Sequence, residues 1–182
     1  MGLFDFFKKN DQPKYDATNI QITDLDFGYI FDYDSNSWEV QAVYEYDWGD
    51  GFSTKEFKIS NGSTTQYLSV EDDDELDLSL SKKVNIHSID PTIVDHIKRF
   101  ESAPKTINYQ NNTYYLEEES PGYFKELSPK NASNNDWQEL ITWDYSDGKG
   151  HCITIEQWSE TSFDASIGHQ IKPFEITSIL PK

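Results

Sequence analysis

The sequence predicts a mainly β fold in which two similar antiparallel units close into a barrel or sandwich. Three observations predict it. Apolar residues alternate with a period of two in short runs set apart by Gly, Asn and Asp clusters. The aromatic share is high at 15%, with eleven Tyr, eleven Phe and five Trp, a composition suited to sheet packing. The second half of the chain also repeats the order of turns and strands of the first, as an internal duplication would.

Composition sets the outer bounds. A chain of 182 residues suits one domain or two small, closely packed halves. Its 33 acidic residues against 15 basic ones give a formal charge of -18, which repels phosphate backbones and argues against nucleic-acid binding. The acid excess reads first as a source of solubility. Cys152 is the single cysteine, so no internal disulfide can form. No run of ~20 apolar residues and no secretory signal pattern is present, so a cytoplasmic location is expected.

At Met1 to Lys9, a helical spacing places Leu3, Phe4, Phe6 and Phe7 on one arc and Asp5, Lys8 and Lys9 on the other. The prediction is a short amphipathic helix whose apolar face docks either on the protein's own body or a twin, or else on a membrane surface or partner groove. Residues 10–16 form a polar linker containing Pro13. Residues 17–182 form the β-rich domain, with repeat one at about 24–90, a helix at 91–101 and repeat two at about 104–180.

The first repeat is expected to hold strands at Phe27 to Tyr33, Ser37 to Tyr46, Phe52 to Ser60, Thr65 to Glu71 and Leu76 to Leu80. Asn61-Gly62 makes a tight hairpin turn. In the connecting helix Asp90 can cap, Pro91 fits the first position, and Ile93, Val94, Ile97 and Phe100 share a face. The second repeat is expected at Thr106 to Tyr109, Thr113 to Glu119, Gly122 to Leu127, Trp137 to Tyr145, His151 to Gln157 and Ser162 to Ile167. There Asp147-Gly148 is the counterpart turn, and the apolar tail from Ile171 to Leu180 docks. Tyr33-x-x-Asn36-Ser37-Trp38 aligns with Tyr109-x-x-Asn112-Thr113-Tyr114. Continuing the alignment sets Ile59 beside Thr142, Val70 beside Ile155, Glu56 beside Glu139 and Glu71 beside Glu156, with the two units sharing one core.

Gly122-Tyr123-Phe124, Trp137 to Tyr145, Gly150 to Trp158, Ile167-Gly168 and Ile171 to Glu175 resemble the bacterial domain-of-unknown-function family DUF4178. Trp38-Glu39-Val40 and Tyr67 to Glu71 extend the resemblance into the first half, with Tyr67 where the family has Trp. It implies a β-rich domain without an assigned activity. It also implies an association with membrane-stress proteins and polyamine-synthase-like genes, hence a peripheral role at the cytoplasmic face of the membrane.

The residues offer little chemistry. Asp47 to Gly51 and Asp144 to Gly148 carry carboxylates, but read as hairpin turns rather than Ca²⁺ loops. His151 and Cys152 are neighbours in one strand and point to opposite faces. His96 shows no ligand partner at metal spacing. Glu71 and Glu156 form the one candidate acidic pair, since both close equivalent strands. No cofactor or metal is expected, and the chain is read as not an enzyme. The leading function is a non-catalytic interaction module attached through Leu3, Phe4, Phe6 and Phe7 to a membrane surface or protein partner. The other reading is a barrel with an aromatic interior that binds a small ligand, such as a cation drawn in by the acid excess.

The segment generates the first test. Phe4→Asp combined with Phe7→Asp is expected to abolish association with liposomes or partner and leave the melting transition unchanged, because burial of each Phe is worth roughly 1.5–3 kcal/mol. A fall in Tm of several degrees would assign the segment to the protein's own core.

Overall fold

The computed structural model describes residues 20–127 and 136–182, so the expected helix bearing Leu3, Phe4, Phe6 and Phe7 lies outside the described residues. Strands β1 (Ile30–Tyr33), β2 (Asn36–Gly49), β3 (Phe52–Ser60), β4 (Thr65–Asp72) and β5 (Leu76–Val84) run antiparallel, each beside the next. Helices α1 (Ile86–Ile89) and α2 (Ile93–Phe100) follow. Then β6 (Thr106–Tyr109), β7 (Asn112–Glu126), β8 (Gln138–Ser146), β9 (His151–Gln157) and β10 (Phe163–Ile171) repeat that antiparallel order, and β11 (Thr177–Leu180) returns to pair with β1.

Two further pairings join the halves. Strand β5 pairs with β10 from Leu78↔Ile171 to Val84↔Ala165, and β2 pairs with β7 from Tyr44↔Glu126 to Asp47↔Tyr123. The sheet order runs β11-β1-β2-β3-β4-β5-β10-β9-β8-β7-β6, and the β2–β7 contact turns its middle eight strands into a ring. Closure satisfies the edges that β2 and β7 would otherwise expose. A glycine stands at each seam. A Cβ on Gly122 would lie 2.6 Å from the Trp48 ring and 2.9 Å from the Asp47 carbonyl. One on Gly168 would lie 2.7 Å from the Leu80 carbonyl and 2.9 Å from the Ser81 Cβ.

The turns show how local chemistry fixes the strands. Asp34-Ser35 and Gln110-Asn111 both hold positive φ in two-residue hairpins. Beside them Ser37 Oγ donates to Asp32 Oδ1 at 2.6 Å and Thr113 Oγ1 to Asn108 Oδ1 at 2.8 Å. At the β3–β4 and β8–β9 connections Gly62 and Gly148 have φ of +89° and +68°, and their N–H groups donate to Ser60 Oγ and Ser146 Oγ, each at 3.0 Å.

The ring separates side chains by chemistry. On one side lie two apolar clusters. The first joins Phe31, Trp38, Val40, Phe57, Ile59, Leu68 and Leu80 with Ile22, Leu25 and Ile176 from outside the ring. The second joins Tyr114, Trp143, Tyr145, Ile153 and Ile155 with Ile86, Ile93 and Ile97 of the helices. On the other side Tyr46 of β2 reaches Glu156 of β9, and Lys83 of β5 reaches the same carboxylate. Contacts between non-adjacent strands identify that side as the concave one.

Several expectations change. The units do not share one core: each keeps its own, and the space between them holds polar and aromatic groups. Ile59 and Thr142 take opposite sides, Ile59 in the first apolar cluster and Thr142 opposite Glu156, because a slip of an odd number of residues reverses a strand's faces. The strands expected at Thr113 to Glu119 and Gly122 to Leu127 form one 15-residue strand, β7. Pro121 is tolerated there because β7 pairs with β6 only up to Tyr115 and with β2 only from Tyr123, leaving one side of the intervening residues without a ladder. In α2, Ile93 and Ile97 are buried as expected, whereas Phe100 is 56% exposed and packs on His96 at 4.7 Å. The tail docks through Ile176 and β11, yet leaves Phe174 exposed.

The seams generate a test. Gly168→Ala is expected to lower stability by about 1–3 kcal/mol, since its methyl meets backbone rather than a yielding side chain. Denaturant unfolding at fixed pH measures it, and an unchanged midpoint would refute the packing described.

Candidate functional site

Successive inward positions of β2 carry Tyr44, Tyr46 and Trp48, and the Trp48 indole is fixed by donating to Thr54 Oγ1 at 3.0 Å. Tyr46 and Trp48 stack at 5.4 Å with their planes 8° apart. Phe124 of β7 meets Tyr44 at 5.2 Å and Tyr46 at 5.3 Å, and Trp158, just past β9, meets Phe124 edge-on at 5.0 Å. Such offset and edge-on contacts are the favoured aromatic geometries. Alternation places all five rings on the concave side, where they fill one end of the ring.

Outside that aromatic plug a cavity of about 630 Å³ opens between the end of β2, the middle of β7 and the ends of β8 and β9. Its lining includes the aromatic residues Trp48, Tyr123 and Trp158 and the acidic residues Asp47, Glu139 and Glu160. Alternation sets Trp48 and Trp158 on the concave side and Asp47, Tyr123 and Glu139, which stand opposite one another on the ladders, on the outer rim.

Behind the plug lies a carboxylate cluster. The Tyr46 hydroxyl is 3.4 Å from both Glu56 Oε1 and Glu156 Oε1. A phenol carries one proton and can donate to one of them at a time. Lys83 Nζ donates to Glu156 Oε2 and to Asp164 Oδ2, each at 2.9 Å, and lies 5.7 Å from the centre of the Tyr67 ring. Burial and then the Glu156 charge push the Glu56 carboxyl up to about 7, against the opposing pull of Lys83 and the Tyr46 hydrogen bond. Burial would lower Lys83, but the Glu156 and Asp164 carboxylates outweigh it and hold the ammonium above its ordinary value. Tyr46 is held well above the usual phenol range by burial and then by its two carboxylate neighbours. Further along the concave side Thr154 donates to Asp144 at 2.6 Å, and burial, followed by the nearby charges, raises Asp144 to about 6.

The structure does not bring the expected pair together. Glu156 is 8% exposed and sits among Lys83, Tyr46 and Glu56. Glu71 is exposed opposite Asp77, with Asp73 and Glu118 as its charged neighbours. Glu156 is thus joined by Glu56, which sequence reasoning had set beside Glu139. Its signal was present but unread: Glu56 falls on the polar face of a strand whose apolar face is Phe57 and Ile59.

The other candidates are occupied locally. Asp47 accepts from the Gly49 N–H at 2.9 Å, and Asp147 accepts from the Lys149 and His151 N–H groups and lies 2.8 Å from His151 Nδ1. These carboxylates serve their own turns. Burial lifts the Cys152 thiol to about 11, so it remains protonated at neutral pH. Among the described residues no group of three or more His, Cys, Asp or Glu side chains is placed to hold a metal, and no helix is long and apolar enough to cross a membrane.

Comparison with known proteins adds family evidence. The family described as "Domain of unknown function (DUF4178)" matches residues 26–173. A protein of Aquifex aeolicus (strain VF5) named "Uncharacterized protein" is 24% identical over 177 residues, spanning 97% of this chain and 94% of that protein. No solved structure matches the chain.

The buried carboxylate generates a pH prediction. Glu56 titrates at about 7 in the folded chain against 4.5 ordinarily, so its protonated form is favoured by folding. That contribution is fully present below pH 4.5 and is lost as pH rises through 7. Glu56→Gln, isosteric and always neutral, is therefore expected to remove roughly 2 kcal/mol of the stability decline between pH 5 and pH 8. Denaturant unfolding at the two values decides it, and an equal decline in both proteins would refute it.

Proposed function

The chain belongs to the DUF4178 family, and from that premise we propose that it is a non-catalytic, β-rich binding module whose end cleft takes the ammonium group of a small organic cation. The observation that carries this reading is the cleft's lining, which combines Trp48, Tyr123 and Trp158 with Asp47, Glu139 and Glu160 and, among the described residues, includes no Lys, Arg or His. Aromatic faces attract a cation through the ring quadrupole, and rim carboxylates add charge without filling the site. The formal charge of -18 favours approach of the same ligands. The segment bearing Leu3, Phe4, Phe6 and Phe7 belongs to this proposal as the tether to a membrane surface or protein partner at the cytoplasmic face, on the strength of its sequence pattern alone.

We further propose that the ring arose by duplication of a five-stranded unit. The recurring strand order, the Ser–Gly hydrogen bonds at the β3–β4 and β8–β9 turns, and the register shifts at Val40/Ala42 and Leu116/Glu118 support it. Aligned on these turns and ladders, Ile59 falls with Tyr145, Glu56 with Thr142, Trp48 with Phe124 and Trp158 with Glu71. Tyr46 falls with Gly122. Divergence at those positions would leave the cleft on one side of the pseudo-symmetric ring.

Titration calorimetry of the full-length chain with spermidine and with tetramethylammonium tests the ligand class. Glu139→Gln combined with Glu160→Gln is expected to weaken both at least tenfold with Tm unchanged, since both residues are exposed. Failure of the parent protein to bind either cation, or equal binding by the double variant, would overturn the reading.

A further inference from the structure

Within the aromatic plug, Tyr46 is the side chain that touches both the cleft's lining and the buried carboxylates. Tyr46 stacks on Trp48, which lines the cleft, and its hydroxyl lies 3.4 Å from Glu56 and from Glu156. When both carboxylates are ionised, one phenolic proton faces two acceptors. Glu156 has Lys83 in addition, at 2.9 Å. A proton on Glu56 relieves the conflict: the new carboxyl O–H donates, and the Tyr46 oxygen can accept it while donating to Glu156.

We infer that occupation of the cleft is proton-linked through this cluster: a proton taken up by Glu56 weakens the hold on a cation, and a bound cation expels the proton. The inference rests on the ligand class proposed above and adds its regulation. The groups facing Glu56 come from every neighbouring strand: Tyr44 and Tyr46 on β2, Tyr67 on β4, Lys83 on β5, Glu156 on β9 and Asp164 on β10. Glu126 of β7 acts on Tyr44, and Asp144 of β8 couples to Glu156. Lys83 is the one cation among these groups, and it is engaged by Glu156 and Asp164. Gaining or losing charge on Glu56 is therefore not compensated by a free neighbouring ammonium. The range in which Glu56 titrates, about 7, puts the change near neutrality. One unit charge acting over about 10 Å at an effective dielectric of about 20 corresponds to roughly a tenfold effect on affinity. Linkage requires the same factor in both directions.

The test uses the full-length chain with tetramethylammonium as probe. Affinity is expected to be roughly three- to tenfold higher at pH 8 than at pH 6, with proton release detected as a dependence of the calorimetric heat on buffer ionisation enthalpy. Glu56→Gln is expected to bind with the same affinity at both pH values. Equal affinities in the parent protein, or a pH ratio unchanged in the variant, would overturn the inference while leaving the ligand class intact. A second readout needs no ligand. In protein labelled with fluorotryptophan, the Trp48 resonance, assigned with Trp48→Phe, is expected to shift between pH 6 and pH 8 in the parent and to stay fixed in Glu56→Gln. A fixed Trp48 resonance in the parent overturns the proton link by itself. Absence of cation binding together with a moving resonance overturns the ligand class and keeps the link between Glu56 and Trp48.

Discussion

Closure of the ring depends on β2 and β7 approaching where Gly122 has no side chain. The Trp48 ring and the Asp47 carbonyl occupy the space that a Cβ at Gly122 would require, so the β2–β7 ladder and the position of Trp48 are one packing problem. With the seam closed, among the described residues β11 and β6 end the sheet order, and the long strands of the ring find partners instead of presenting open edges. The opposite seam repeats the device, with Gly168 against Leu80 and Ser81. Both glycines stand where two backbones meet closely, a recognised use of glycine within strands.

Closure also explains where the apolar residues go. Each half buries its own set against elements outside the ring: the 22–31 segment and the tail for one, the two helices for the other. The concave side receives the alternate residues of the same strands, which include Tyr, Trp, Ser, Thr, Lys, Asp and Glu. Inside, Lys83 faces Glu156 and Asp164, while Glu56 meets the same phenol as Glu156. Burial of charge is costly unless it is paired and hydrogen-bonded, and here three carboxylates share one ammonium. The excess falls on Glu56, whose proton affinity rises to match. That excess negative charge lies directly behind the stacked Tyr46 and Trp48, so the chemistry of the interior and that of the cleft share one aromatic wall.

How much of this was legible follows from the range over which each signal acts. The Asn61-Gly62 and Asp147-Gly148 turns were readable because positive φ at glycine is a local demand. The helix at Ile93 and Ile97 was readable from its spacing, but it starts two residues later than Pro91 suggests: Thr92 takes the cap position, and Asp90, outside the helix, accepts from the Thr92 N–H. The span of β7 was misread because Pro121 signals a break only when a strand is paired on both sides, and here one side is open. The partner of Glu156 was misread because alternating sequences align acceptably at more than one register, and an odd slip exchanges the two faces.

The sequence by itself determined most of the strands, the turn chemistry, the place of the central helix and the family, since these follow from alternation, glycine and helical spacing acting within a few positions. Only the tertiary structure decided that the ring closes through β2 and β7, that two cores replace one, and that Glu56 rather than Glu71 stands with Glu156. Those outcomes depend on which strands meet across the ring, with β2, β3, β5 and β9 converging on one polar cluster from positions far apart in the chain. Local periodicity carries no information about such meetings, because each strand's pattern is satisfied whichever distant strand it faces.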